Sequence, residues 1–290
     1  GHCGYPEFNF FTSSEGHSCP WNSISGANSQ KDLYTFMGNY AILPPGESEQ
    51  AFLAAAKEAE TVKTLSSFLP LTDKNKEIIS NFRKVPGTQN LFRSYHLYKK
   101  SFPQFDTENT RSDIVKELVE KNGIRSIISL CGSEQCDESL GERISAYQQK
   151  IIDEGNEFFT DISYENVYYS SDSRNIGDVF GDIIRFIATN PAPYLVHCRL
   201  GSDRTGVICA LLAALCGALW SDIAEDYEKT GRMGIQQYRD SRLLKYAVDN
   251  FAGTRVHPSR PFARTISLRC IKNGYATQEE INAAVNNLKG

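Results

Sequence analysis

No stretch of this chain stays apolar for the roughly 20 residues that a membrane-spanning helix needs. The longest apolar run, Val207 to Trp220, is interrupted at Gly217 and suits a buried central helix instead. The chain also lacks a large charge of either sign. Its 31 Lys and Arg face 35 Asp and Glu, for a formal net charge of -4. That balance excludes the basic footprint of a nucleic-acid-binding protein, so an anionic partner has to be met by a local basic pocket. No Cys-x-x-Cys pair and no Cys/His cluster has the spacing of a zinc site, and nothing else calls for a metal or a cofactor. Repeats and low-complexity tracts are missing as well.

What is present is a chain built to fold. With 40% hydrophobic and 11% aromatic residues over 290 positions, it can bury a substantial core as one large α/β domain or a domain and a half. Among its eight cysteines, Cys209 and Cys216 lie on one apolar face as packed thiols. Cys3 and Cys19 flank a polar arm where a disulfide would suit an oxidising space, and Cys131 and Cys136 are either paired or both free. The chain begins at Gly1 with no visible signal peptide, which fits a removed leader or an expression remnant. On these grounds an exported protein is expected.

Residues 1–30, rich in Gly, Ser and Asn, predict an irregular arm, and Glu47 to Phe68 a helix. A short helix capped by Thr72 or Asp73 follows, over Thr72 to Phe82. Pro86-Gly87 breaks the chain, which divides it into an extension (1–85) packed on a main domain (86–290). Within that domain, strands are expected at Asn90–Ser94, Ile124–Leu130, Glu165–Tyr169 and Tyr194–His197. Helices are expected at Arg111–Asn122, Ser139–Glu154, Asp178–Thr189 and Arg204–Trp220, then at Asp222–Tyr227, Ile235–Phe251 and Thr277–Leu288. Strand and helix alternate from 90 to 220, which implies crossover units on a central, mostly parallel sheet flanked by helices, with an extra helical C-terminal portion. The fold class is α/β.

The chemistry concentrates in one segment, His197 to Gly206, which reads HCRLGSDRTG. It places Cys198, five residues and Arg204 between a buried strand and the start of an apolar helix. Five residues can curl so that their backbone N–H groups converge on one tetrahedral anion. The helix N-terminus adds unpaired donors and the positive end of its dipole. Gly201 permits backbone geometry that other residues resist, and Arg204 offers a planar fork to two phosphate oxygens. The same field favours the thiolate of Cys198, a nucleophile able to attack phosphorus. Thr205 can donate its hydroxyl to that sulfur, and His197 is expected to brace the loop.

With these residues the chain resembles the protein tyrosine phosphatase superfamily, whose signature is HCxxGxxRT. It is most similar to the dual-specificity and lipid-phosphatase side, in particular bacterial tyrosine/lipid phosphatases whose loop ends in Asp-Arg-Thr-Gly. Arg93-Ser94 in NLFRS, the strand IRSIISL and the tail NGYATQEEI resemble further elements of that family, over roughly residues 86–290. The resemblance implies phosphomonoester hydrolysis through a phosphocysteine, with Arg199, Leu200, Gly201, Ser202, Thr205, His197 and Arg93 at the phosphate site. Ser202 stands where the bacterial relatives usually carry Lys.

A leaving oxygen needs a proton, and two carboxylates compete to supply it. Asp203 lies in the loop itself, matching the in-loop Asp that the resemblance makes the acid; Asp172, in SSDSR, fits a mobile acid loop. Asp161 and Asp178 stand outside this pair. Arg199 adds a cation after the nucleophile, which suits an inositol phosphate or phosphoinositide, although phosphotyrosine remains open. Arg232, Arg239 and Arg242 either extend a basic rim or are simply solvated. The alternative function is a silent phospho-ligand-binding module; sulfur transfer or arsenate reduction fits the Arg-Thr-Gly ending less well.

Overall fold

Two four-residue stretches, Ser126–Ser129 and Tyr194–His197, are buried at every position, as befits strands covered on both faces. The computed structural model that shows this describes residues 68–98, 108–132, 144–162, 166–169, 174–233, 239 and 241–290. The expectations for the N-terminal arm, for the helix up to Phe68, for Cys3, Cys19 and Cys136 and for Asp172 therefore lie outside the described residues, Phe68 itself excepted.

Along the chain the elements run α1 (Asp73–Ile79), β1 (Arg83–Lys84), β2 (Leu91–Ser94), α2 (Glu108–Lys121), β3 (Ser126–Ser129), α3 (Ala146–Asp153), β4 (Glu157–Phe159), α4 (Asn166–Tyr169), α5 (Arg174–Thr189), β5 (Tyr194–His197), α6 (Asp203–Leu215), α7 (Trp220–Lys229), α8 (Ser241–Ala252), α9 (Ala263–Lys272) and α10 (Gln278–Lys289). The strands form one sheet in the order β1-β2-β5-β3-β4. All neighbours are parallel except the edge pair β1–β2, where Arg83 faces Arg93. Parallel neighbours need crossovers, and the helices supply them. The chain thus has the mostly parallel, helix-flanked α/β architecture expected, including its helical C-terminal portion.

Side chains alternate across the pleat and divide the core in two. Ile127 and Leu195 join Ile79, Phe82, Val115, Leu118 and Ile151 under α1, α2 and α3. Ile128 and Val196 enter the larger cluster with Phe180, Ile184, Ile208, Leu212, Leu244 and Ile266. α6 runs through that second cluster and is buried on nearly all sides, which is why its sequence is apolar throughout. Caps fix several ends: the Thr72 hydroxyl accepts the Asn75 N–H at 3.2 Å, and Thr277 and Glu280 form a reciprocal capping box.

The structure corrects several expected elements. Residues 166–169 form a helical turn, not a strand; Val167 and Tyr168 are buried there in the larger core cluster. The apolar run to Trp220 is not one helix, since α6 stops at Leu215 and Gly217 takes φ +89° before α7 begins. β1, β4 and α9 were not anticipated. β1 lies before residue 86 yet belongs to the main sheet. Cys131 is a free, buried thiol within 3.2 Å of the Tyr98 hydroxyl.

Candidate active site

β5 ends at His197 and α6 starts at Asp203, so residues 198–202 must turn the chain at the C-terminal edge of the sheet. That edge is where open α/β sheets place their ligands. The turn is curled, not stretched: the Gly201 N–H points back to Cys198 Sγ at 3.3 Å. Gly201 adopts φ +80°, and a Cβ there would lie 2.5 Å from the Ser94 carbonyl oxygen, so only glycine fits against β2.

Each carbonyl of the curl is tied on its outer side. The Cys198 carbonyl meets His197 Nδ1 at 3.0 Å, and the Arg199 carbonyl accepts the His96 N–H at 3.1 Å. Asn81 Nδ2 donates to the carbonyls of Leu200 (3.2 Å) and Gly201 (3.3 Å), and Arg93 Nη2 adds a 2.6 Å bond to Gly201. In a trans peptide the N–H points opposite to the C=O. Four outward carbonyls therefore turn the following amides, those of residues 199 to 202, towards the inner side.

The inner side is not saturated in the same way. Arg204 directs Nη1 at the carbonyls of Leu130 (3.2 Å) and Ile162 (3.4 Å), leaving Nε and Nη2 with no protein partner among the described residues. The hydroxyls of Ser202 and Thr205 are buried without a hydrogen bond, so the expected bond from Thr205 to the sulfur is not made here. Ser202 does not cap α6 either, which leaves the helix N-terminus open to an anion. Cys198 is buried at 3% exposure.

Two buried ion networks hold the outer side. In the first, Asp226 of α7 accepts Arg93 Nη1 at 2.9 Å and Arg83 Nε at 2.6 Å, and Arg83 also donates to the Asn81 side chain. Burial opposes ionisation of Asp226, but the two guanidinium groups outweigh it and hold the carboxyl below its usual range. Burial, then the neighbouring Arg93, pulls Arg83 down to about 10. In the second, Asp203 accepts Arg239 Nε at 2.7 Å, Arg239 Nη2 at 3.1 Å and the Tyr168 hydroxyl at 2.8 Å. Tyr168 in turn meets the Tyr227 hydroxyl at 2.5 Å. Burial lowers the pKa of Arg239, but Asp203 more than reverses it; burial raises Tyr168 well above its ordinary value.

The other residues expected at the site fall as follows. Arg93 is 1% exposed and meets the loop from outside, at a carbonyl. Arg239 is neither a rim residue nor solvated, because it is buried against Asp203. Arg199 and Leu200 are partly buried, Arg242 partly buried on α8, and Arg232 exposed beyond α7. Asp178 is exposed on α5. Asp161, set aside in the sequence, lies 4.0 Å from Arg204 Nη1 with its side chain 75% exposed. The signal that could have found it is its place directly after β4, at the same sheet edge as the loop. Asn81, Arg83 and Asp226 were missed because nothing local marks them.

Residues 79–280 match the tyrosine phosphatase family. The chain belongs to that family. No curated protein matches the chain. The span takes in Asn81 and Arg83, so the outer tethers of the loop lie within the phosphatase homology, N-terminal to the boundary expected at residue 86. As a tyrosine phosphatase the chain has phosphorylated substrates, and among its described residues no helix is long and apolar enough to cross a membrane.

Proposed function

We propose that this phosphatase hydrolyses phosphate monoesters by way of a phosphocysteine at Cys198. The observation that supports the reading is the tethering of four consecutive carbonyls, Cys198 to Gly201, on one side of the loop, which aims the amides that follow at a single anion. Cys198 Sγ attacks phosphorus, the S–P bond forms as the bond to the leaving oxygen breaks, and that oxygen takes a proton from a carboxylic acid. Water then displaces the sulfur and releases phosphate. Arg204 supplies its two uncommitted donor groups to the equatorial oxygens, and Thr205 donates to the departing thiolate.

For the proton donor, the partners of Asp203 favour a different carboxylate. Both of its oxygens are engaged by Arg239 and one also by Tyr168, so in this reading Asp203 fixes the loop to the 239 region. Asp161, beside Arg204 and open to solvent, takes the role of acid, with Asp172 as its competitor. The substrates are phosphotyrosine-type groups or phosphoinositides and inositol phosphates, Arg199 favouring the second class.

A panel of phosphopeptides, phosphoinositides, inositol polyphosphates and an aryl phosphate tests this, run on Asp161→Asn, Asp172→Asn and Asp203→Asn. The expected pattern is metal-independent, vanadate-sensitive turnover, with kcat lowered roughly 10²-fold in Asp161→Asn. Asp203→Asn is expected to lower stability by about 3–5 kcal/mol, since it removes the carboxylate paired with the buried Arg239 guanidinium. Full activity in Cys198→Ser would refute the phosphocysteine, and phospho-ligand binding with no turnover in the wild type would favour a silent binding module. A loss in Asp172→Asn with none in Asp161→Asn would move the acid to Asp172.

A further inference from the structure

Away from the loop at 198–202, the described residues form a cavity of about 360 Å³ between α1, β1 and the end of α7. Neither Cys198, Arg204 nor any other residue of the loop lines it. We propose that this cavity is a binding site for a small amphipathic monoanion, an aryl-alkyl carboxylate in its chemical class, and that its occupancy is felt at the phosphate loop through Arg83.

The apolar part of the ligand is set by Ile78, Phe82 and Met233, which line the cavity together. A volume of this size, largely apolar with a few polar groups at its edge, is typical of sites for small organic molecules. The sign of the charge comes from the wall and from the rim. On the inner wall stands Arg83, which has to share the single carboxylate of Asp226 with Arg93, a residue behind the wall. At the rim, Lys74, Lys229 and Arg232 outnumber Glu77 and Glu225 by one. The cation that faces the cavity from its wall is Arg83, and its burial leaves it less screened than the rim charges.

The link to the loop is short. Arg83 donates to the Asn81 side chain, and Asn81 donates to the carbonyls of Leu200 and Gly201. Arg83 also binds Asp226, which holds Arg93 against the Gly201 carbonyl. All of the Arg83 N–H groups are directed at Asn81, Asp226 and Thr230. A carboxylate at this wall competes for those donors and loosens both tethers at once. The coupling is therefore negative: ligand in the cavity weakens the hold on the loop.

Calorimetric titration of the full chain with 4-phenylbutyrate tests the site, with the neutral 4-phenylbutanol as control. One saturable site is expected, with the alcohol and a Lys229→Glu/Arg232→Glu double variant each bound roughly tenfold more weakly. Met233→Trp, which fills the cavity, is expected to abolish binding while the protein stays folded. Amide hydrogen exchange in residues 198–202 is expected to speed up with ligand. No saturable binding, equal binding of the alcohol, or binding unchanged in either variant would overturn the site. Unchanged exchange would overturn the coupling. An apparent Kd that rises in proportion to vanadate without reaching a plateau would place the ligand in the phosphate loop and also overturn it, whereas the coupling predicts a rise that levels off. None of these readouts needs turnover, so they stand or fall separately from the phosphocysteine reading.

Discussion

The two sides of the phosphate loop are finished to different standards. Outside, every carbonyl from Cys198 to Gly201 has a donor, and two of those donors are held by Asp226, Arg93 directly and Asn81 through Arg83. Inside, two nitrogens of Arg204 and the hydroxyls of Ser202 and Thr205 have no partner among the described residues. Buried polar groups in a folded protein are almost always paired, so the Ser202 and Thr205 hydroxyls, buried without a hydrogen bond at the start of α6, mark where an external group is received. Rigidity is placed behind the site and unmet hydrogen-bonding capacity in front, the arrangement that electrostatic preorganisation requires.

Inner-side substitutions should remove activity with little loss of stability, whereas outer-side ones should cost stability first. The largest effect is expected for Cys198→Ser, a fall in kcat/KM of at least roughly 10³-fold in an aryl phosphatase assay. Arg204→Lys should follow at roughly 10²–10³-fold, because an ammonium cannot offer a planar fork. Thermal unfolding of both should stay close to wild type.

On the outer side, Asp226→Asn leaves Arg83 and Arg93 without their shared carboxylate and should cost about 3–5 kcal/mol in denaturant unfolding. Its pH dependence has a definite sign. The carboxyl of Asp226 is held below its usual range, so its contribution is fully present above the ordinary carboxylate pKa and is lost as pH falls through the lower folded value. The acid limb of the stability profile should therefore be shallower in Asp226→Asn than in wild type.

The loop was legible in the sequence because its chemistry is local: nucleophile, glycine, arginine and helix start all lie within ten residues. Its supports were not. Asn81 reaches it across more than a hundred positions, Arg83 and Asp226 meet across as many, and a lone Asn or Asp carries no mark of what it will touch. Arg239 was misplaced for the same reason, since its burial depends on Asp203, 36 residues away. β5 matched its expected bounds because all four residues are buried and apolar or anchored. The VYY segment failed because aromatic and β-branched residues suit a strand and a buried helical turn equally well in so short a run. β1 is two charged residues paired at a sheet edge and has no pattern to find.

The smallest effect expected is at Glu157 of β4, outside both sides of the loop. Burial pushes its carboxyl up to about 7, with His197 and Gln148 opposing the shift. Such a group stabilises fully below 4.5 and loses that contribution as pH rises through about 7. Glu157→Gln should gain on the order of 1–2 kcal/mol above neutral pH and nothing in acid, measured by urea unfolding.

The contrast between the two sides rests on Cys198 receiving the phosphoryl group. Rapid acid quench of turnover, followed by peptide mass spectrometry, tests this directly. The expected result is one added phosphoryl group on the peptide spanning Cys198, accumulating in an acid-loop variant and absent in Cys198→Ser. Turnover that persists in Cys198→Ser, or a phosphoryl group found only on another side chain, would contradict the account.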